Sequence, residues 1–383
     1  MKIVPLNRTF FKPLLKLGHR RIPVACALFV FTQKEIEKAM SVINFVWKKI
    51  ISSVNEKFVG LIRFDLIPGF SQSLPQISKW QGGLAYDFGF LQIKGVYEVN
   101  VHSPECGAAL SVIQAVLPEI KQFHPPVASL IGKAISNHFL GEKVSFVIGD
   151  GLLKQKWGNF FYHDLSNFLP IVKMSWKEAM KNPSPVIWRW GDARGRNDDE
   201  FPLEFQQFLI SYQEKQNRMV FNTLPLKKDW GDKSLFCSEL QFSSDECRRS
   251  EWEKIVGKNF FLNSETLSYA LTFQKKLVCK PFLGSSGREV AVGRLLSPKE
   301  WKEILKRRIN KGYGIFEARW LPRLKLPFGE LAIDFNVTCW ANGSKLEYLY
   351  SFVRIDKWEN YWKRGTINVS QGAGLGMGRV LED

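Results

Sequence analysis

Two short runs constrain this 383-residue chain more than anything else in it. Arg63-Phe64-Asp65 and Val96-Tyr97-Glu98-Val99-Asn100-Val101-His102-Ser103-Pro104 alternate polar with apolar residues, as strands lying on a core do. Alternate side chains of a strand share a face, so Arg63 projects with Asp65, and Val96 with Glu98 and Asn100. If the two strands pair antiparallel, two carboxylates, an amide and a guanidinium converge on one patch. Burying such a set without a counter-ion is costly, whereas Asp, Glu and Asn oxygens are what Mg²⁺ prefers when it bridges to a phosphate. The competing possibility is an ion-pair set of Asp65 and Glu98 with Arg63 on a half-buried sheet.

The length allows two or three domains, and 45% hydrophobic with 24% charged residues is ordinary globular composition. A formal charge of +17 makes the surface electropositive, which suits nucleic acid, anionic lipid or a polyphosphate without choosing among them. The cysteines Cys26, Cys106, Cys237, Cys247, Cys279 and Cys339 show no Cys-x-x-Cys spacing, so buried thiols in a reducing compartment are expected in place of disulfides or zinc. Val24 to Phe31 is too short to span a bilayer and no signal-peptide cleavage pattern follows it, which points to a cytoplasmic protein with no membrane partner.

Residues 1–22 are basic and weakly patterned, and are expected as an arm on the surface. Val24 to Phe31 reads as a buried strand; Thr32 and Glu35 then form a capping box, with Ile36, Met40, Ile43, Trp47 and Ile50 at helical spacing behind it. The stretch from Asp65 to Phe90 is long for a hairpin connection and is expected to carry small structure of its own. Cys106–Ile120 and Val127–Phe139 read as helices. Lys143–Asp150 and Pro185–Trp190 read as strands of a second, α/β unit, with the polar loop Gly191–Glu200 at a strand end where α/β ligands bind. From Pro225 a third unit begins. Lys233 opens a helical segment, as do Trp252–Phe261, Ser264–Phe273 and Ser297-Pro298-x-Glu300; Leu277–Pro281, Gly314–Leu321, Leu331–Trp340, Lys345–Asp356 and Thr366–Val369 read as strands. Gly365–Gly378 is so dense in glycine that a mobile lid, not a static strand, is expected.

Lys280-Pro281-Phe282-Leu283-Gly284-Ser285-Ser286-Gly287-Arg288 lacks the Gly-Lys-Ser/Thr ending of a Walker loop. Its small residues still allow backbone N–H groups to approach phosphate, and a lysine ending the preceding strand can reach the same oxygens. Taken in order, Arg63-Phe64-Asp65, Glu98-x-Asn100-x-x-Ser103-Pro104, Lys233, Lys280-Pro281 with its Gly/Ser loop, Phe316-Glu317-Ala318 and Arg354-Ile355-Asp356 resemble the circularly permuted ATP-grasp ligases typified by glutathionylspermidine synthetase. The eukaryotic glutathione synthetases are similar in the Glu-x-Asn element and in a glycine-rich C-terminal stretch like Gly372-Ala373-Gly374. The resemblance runs over roughly residues 22 to 383.

The resemblance implies an α+β, ATP-grasp-like fold in which residues 1–120 complete the nucleotide-binding unit 226–383 around an α/β substrate domain at 121–225. It implies ATP and Mg²⁺ as cofactors, with Asp65, Glu98 and Asn100 as metal ligands and Arg63 facing the reacting carboxylate or acyl phosphate. Lys233 and Lys280 would contact phosphates, Gly284, Ser285, Ser286 and Gly287 would fold over them, and Phe316, Glu317 and Ala318 would hold adenine. Arg354 would bind an anionic part of the substrate or the γ-phosphate. Ser103, flanked by His102 and Cys106, would contact substrate, and Gly372 and Gly374 would close the site. The implied activity is ATP-dependent ligation of a small-molecule or peptide carboxylate to an amine. This sequence departs from the family in having no carboxylate between Lys280-Pro281 and Glu289, and in the long insertion after Asp65. A nucleotide-binding protein without turnover and a nucleic-acid-binding protein, the latter suggested by +17 and 13 Trp, are the alternatives. Against nucleic acid, Lys and Arg are spread along the chain and form no single block.

Overall fold

The computed structural model describes residues 1–6, 11–17, 20–80, 83–100, 110–111, 113–114, 117, 120, 124–139, 142–148, 156–190, 201–222, 233–237, 250–283, 289–367 and 373–381. The fold is mixed α+β and is built on three sheets. The largest has 11 strands, and its central order interleaves the two ends of the chain. Arg20–Thr32 lies parallel to Gly374–Leu381; next come Lys345–Lys357, Gly329–Asn342, Val59–Phe70 and finally Leu91–Asn100, each antiparallel to its neighbour. Early strands therefore supply both flanks of a sheet whose middle comes from the last third of the sequence.

This sheet is covered on both faces. Thr32 caps the helix Gln33–Val54 with the expected box, its side chain accepting from the Glu35 N–H while the Glu35 carboxylate accepts from the Thr32 N–H. Ile36, Ile43, Trp47 and Ile50 of that helix bury against Phe29, Phe31, Phe64, Phe335 and Val353, each such side chain contributing roughly 1.5–3 kcal/mol. The opposite face packs Leu28, Leu61, Trp340 and Phe352 against Ile131 and Ile135 of the helix Val127–His138 and against Phe146, Trp188 and Phe221.

Those last three rings belong to the central α/β unit, a four-stranded parallel sheet in the order Met219–Phe221, Val186–Trp190, Val144–Ile148, Ile171–Met174. Asn222 joins it to the large sheet. Its N–H donates to Val59 O at 2.9 Å and its side chain brackets Leu61, accepting from the N–H and donating to the O. Gly60 makes this approach possible, since a Cβ there would lie 2.2 Å from Asn222 Oδ1. The strand that carries Arg63 and Asp65 is fixed in place by that junction.

The third unit is a small antiparallel sheet, Phe260–Phe261, Tyr313–Glu317, Leu277–Pro281 and Ala291–Val292. It is backed by the helices Leu267–Thr272 and Pro298–Arg308 through Ala270, Trp301 and Leu305.

Four expectations are corrected. The N-terminal segment is not a surface arm: Lys2–Pro5 and Phe11–Leu17 are strands paired with Arg20–Thr32, and Ile3 is fully buried. Trp252–Phe261 is not one helix; a helix Glu251–Val256 ends at Gly257 (φ +93°) and the chain re-enters as the strand Phe260–Phe261. Gly374–Leu381, in the glycine-rich stretch expected as a lid, is a buried central strand. Its glycines are set by crowding: a Cβ on Gly376 would lie 2.4 Å from the Phe29 ring, and one on Gly378 2.4 Å from Ser351 Oγ. Close packing inside the sheet, which composition does not reveal, demands the same residue as mobility does. Thr366 and Ile367 are likewise not in a strand, while residues 368–372 lie outside the described residues.

The Asp65–Phe90 connection does carry its own structure, a hairpin of Gln76–Trp80 and Gly83–Asp87 added to the sheet edge through Lys2–Pro5. Cys279 and Cys339 are buried free thiols, and burial pushes the Cys279 thiol up to about 11. Among the described residues no helix is long and apolar enough to cross a membrane.

Candidate functional site

The strands singled out in the sequence are neighbours: Val59–Phe70 pairs antiparallel with Leu91–Asn100, with Arg63 opposite Asn100 and Asp65 opposite Glu98. All four side chains therefore fall on one face. The register slips just past this point, where Asp65 pairs Glu98 but Leu66 pairs Val96, leaving Tyr97 as an extra residue. Bulges re-aim side chains, and here both Tyr97 and Glu98 line the same cleft. Strict alternation would have sent Tyr97 to the other face.

What surrounds Asp65 is a ladder of charge. Asp65 is fully buried; Arg63 Nε donates to its Oδ1 at 2.7 Å and Arg354 Nη2 to its Oδ2 at 3.0 Å. Arg354 Nε also donates to Asp334 Oδ2 at 2.7 Å, its backbone N–H donates to Asp334 Oδ1 at 3.0 Å, and its Nη2 bonds the Tyr97 hydroxyl. Tyr97 in turn donates to Asp334 Oδ2 at 2.5 Å, and Asn336 Nδ2 to Oδ1 at 2.6 Å. Burial pulls the Arg354 pKa down, yet Asp334, Tyr97 and Asp65 outweigh it and hold the group well above its ordinary value. Burial first, then the two carboxylates, raise Tyr97 against the opposing pull of Arg354. The sequence pattern assigns no site role to Asp334 or Tyr97. Asp334 sits in an Asp-x-Asn pattern with Asn336, the same kind of signal as Glu98-x-Asn100, and could have been found that way.

Lys280 ends the small sheet's strand Leu277–Pro281 and enters the cleft from the other side. Lys233, on a single helical turn, is brought beside it by a bond from its own N–H to Phe282 O at 3.0 Å. Lys233 Nζ lies 4.0 Å from Glu98 Oε1. Lys280 makes no hydrogen bond or ion pair among the described residues; its Nζ stands 5.3 Å from the Phe316 ring centroid. Burial, then the neighbouring Lys233, lower its pKa from 10.5 to about 8, with Glu98 and Cys237 pulling the other way.

Between these walls is a cleft whose empty volume, open mouth included, is about 1140 Å³. Lys280, Lys233, Glu98, Glu317, Arg319, Arg354, Asn259 and Thr366 supply polar groups to its lining, while Ile67, Val256, Val278, Phe316 and Leu321 are among its apolar residues. Phe316, Glu317 and Ala318 all line it, but the Glu317 N–H donates to Asn259 Oδ1 and the Ala318 N–H to Lys276 O. Those two N–H groups are thus spent inside the protein and are not offered to a ligand.

The three-ligand Mg²⁺ set does not fit this geometry. Both Asp65 oxygens are taken by guanidinium groups, and the described residues hold no group of three His, Cys, Asp or Glu able to bind a metal. Glu98 is the carboxylate of the trio that lines the cleft, and Asn100 is buried with its Nδ2 unpartnered among the described residues. His102, Ser103, Cys106, Gly284, Ser285, Ser286, Gly287, Gly372 and the loop Gly191–Glu200 lie outside the described residues. Gly374 pairs with Ile355 inside the large sheet and does not line the cleft.

The chain matches no family model and no curated protein sequence.

Proposed function

We propose that the cleft binds ATP and that the protein is a carboxylate–amine ligase with a circularly permuted ATP-grasp-like fold. The observation that carries this is Lys280, a half-buried ammonium that makes no hydrogen bond or ion pair among the described residues and stands beside Lys233 in a cleft with a largely apolar wall. An unpaired cation in such surroundings is stabilised by an anion, and the apolar remainder suits a base and sugar. The interleaving of early and late strands supports the permuted arrangement.

In this reading Lys280 and Lys233 neutralise charge on the transferring phosphoryl group. Arg354, which lines the cleft and whose Nη1 is not used in its bonds to Asp65 and Asp334, orients the acid. A carboxylate oxygen of the acid attacks the γ-phosphorus and ADP leaves; the amine nitrogen then attacks the acyl carbon and phosphate leaves. Positioning and charge stabilisation do the catalysis, with no covalent protein nucleophile. A second reading, nucleotide binding without turnover, is favoured by the full engagement of Asp65 with arginines.

The test is calorimetric titration with ATP, followed by pooled acids and amines screened for phosphate release and for product by mass spectrometry. ATP should bind, and Lys280→Met should weaken it roughly 10- to 100-fold, as expected for one charge-assisted contact. Product formation supports the ligase, binding without phosphate release supports the second reading, and unchanged affinity in Lys280→Met defeats both.

A further inference from the structure

Two residues past Ala318, Trp320 lines the cleft, and it is held from behind. The Arg294 guanidinium carbon lies 4.3 Å from the Trp320 ring centroid and 3.6 Å from that of Trp362. Its Nη2 donates to Trp362 O at 2.5 Å, and Trp358 stacks on Trp362 at 5.5 Å with an interplanar angle of 22°. Arg294 and Trp362 do not line the cleft, whereas Trp320 does. Cation–π contact with Arg294, together with packing against Trp362, therefore fixes the orientation of a ring that also lines the cleft. A planar aromatic surface at one place and ammonium groups at another divide the cleft into a ring-binding part and an anion-binding part.

We propose that Trp320 is the stacking platform for the purine base of the nucleotide and that Arg294 is its positioning residue. The assignment rests on the cleft being a nucleotide site and goes further by saying how the base is recognised. With the N–H groups of Glu317 and Ala318 both spent within the protein, those donors cannot read the base edge, and stacking must carry more of the affinity. A purine offers a larger face than a pyrimidine, so the site favours purine nucleoside triphosphates. A cation behind the indole withdraws electron density from it, which favours stacking by an electron-rich purine on the other side.

The experiment titrates ATP and CTP into the full chain as wild type, Trp320→Ala, Trp320→Phe and Arg294→Lys, with tryptophan emission followed in parallel. Wild type should bind ATP more tightly than CTP, and ATP addition should change emission. Trp320→Ala should lose about 5- to 100-fold in ATP affinity, the range typical of one base–aromatic stack, and bring ATP and CTP close together. Trp320→Phe should retain most of the preference for ATP but lose the emission change, and Arg294→Lys, which keeps charge but not the planar stack, should fall between. A folded Trp320→Ala with undiminished ATP affinity and preference overturns the proposal, as does a Trp320→Phe that keeps the emission change; the latter decides if Trp320→Ala does not fold. Wild type binding neither nucleotide overturns the nucleotide reading of the cleft and this assignment with it. Binding of ATP with no effect of Trp320 overturns the assignment alone.

Discussion

On the large-sheet side of the cleft Arg354 is enclosed by Asp65, Asp334 and Tyr97, while on the small-sheet side Lys280 faces the same space with no hydrogen bond or ion pair among the described residues. Both are cations taken out of bulk water. One is matched inside the protein and held well above its ordinary pKa; for the other, burial and Lys233 outweigh Glu98 and the pKa falls to about 8. The difference separates charges that the fold completes by itself from a charge that a ligand completes. It also bears on Asp65, whose partners place it with the completed set.

The largest effect should come from breaking the completed set. Asp334→Ala removes the carboxylate that accepts from Arg354 Nε and backbone N–H, from Tyr97 and from Asn336, leaving a guanidinium buried with half its counter-charge. A loss of about 3–5 kcal/mol is expected, the usual result of removing one partner from a buried ion pair. Lys280→Met removes a cation with no hydrogen-bonded partner to orphan, one whose lowered pKa shows that its charged form opposes folding, and should leave the stability of the free protein unchanged or raised. Urea unfolding of the two variants checks this, and similar losses in both would erase the distinction between the regions.

A smaller effect tests whether Gly374–Leu381 belongs to the rigid side. Leu375 pairs with Arg354, so this strand supports the enclosed arginine directly. Gly376→Ala would press a methyl group into Phe29 and Val353 and should cost about 1–3 kcal/mol through overpacking. A mobile lid would accept the substitution without loss, so an unfolding midpoint equal to wild type would restore the lid.

Much of the enclosed region was legible in the sequence, and the reason is periodicity. Arg63 with Asp65, and Glu98 with Asn100, share faces because a strand repeats every two residues, and the capping box at Thr32 and Glu35 marks a helix start for an equally local reason. What escaped depends on partners far away in the chain. Tyr97 reaches the site through a bulge that interrupts the period, the Asp-x-Asn pattern of Asp334 gains its partner only once its strand lies beside that of Arg354, and Trp320 matters because Arg294 and Trp362 pack against it. Glycine was the misleading residue, since Gly376 is dictated by the nearness of Phe29 and not by local freedom.

The last effect, read as a fraction of a proton, is the sharpest probe of Lys280. Because its folded pKa is lowered to about 8 from an ordinary 10.5, the folded state binds fewer protons than the unfolded state between those values. Holding the charged form disfavours folding fully below pH 8, and the disadvantage fades as pH rises toward 10.5, so stability of the free protein gains a rising contribution across that window. Lys280→Met should lack it. A bound polyphosphate favours the charged ammonium and raises the pKa again. At pH 8 the free protein holds this site about half protonated and the complex nearly fully so, which means roughly half a proton taken up per nucleotide bound. At pH 6.5, where the free lysine is already charged, uptake at this position should be near zero. Titrating ATP in buffers of different ionisation enthalpy at both pH values, for wild type and Lys280→Met, isolates the contribution from the protons carried by the nucleotide itself. An uptake at pH 8 that is the same in both proteins would mean that Lys280 does not meet the phosphates, and the contrast between the two walls of the cleft would lose its functional meaning.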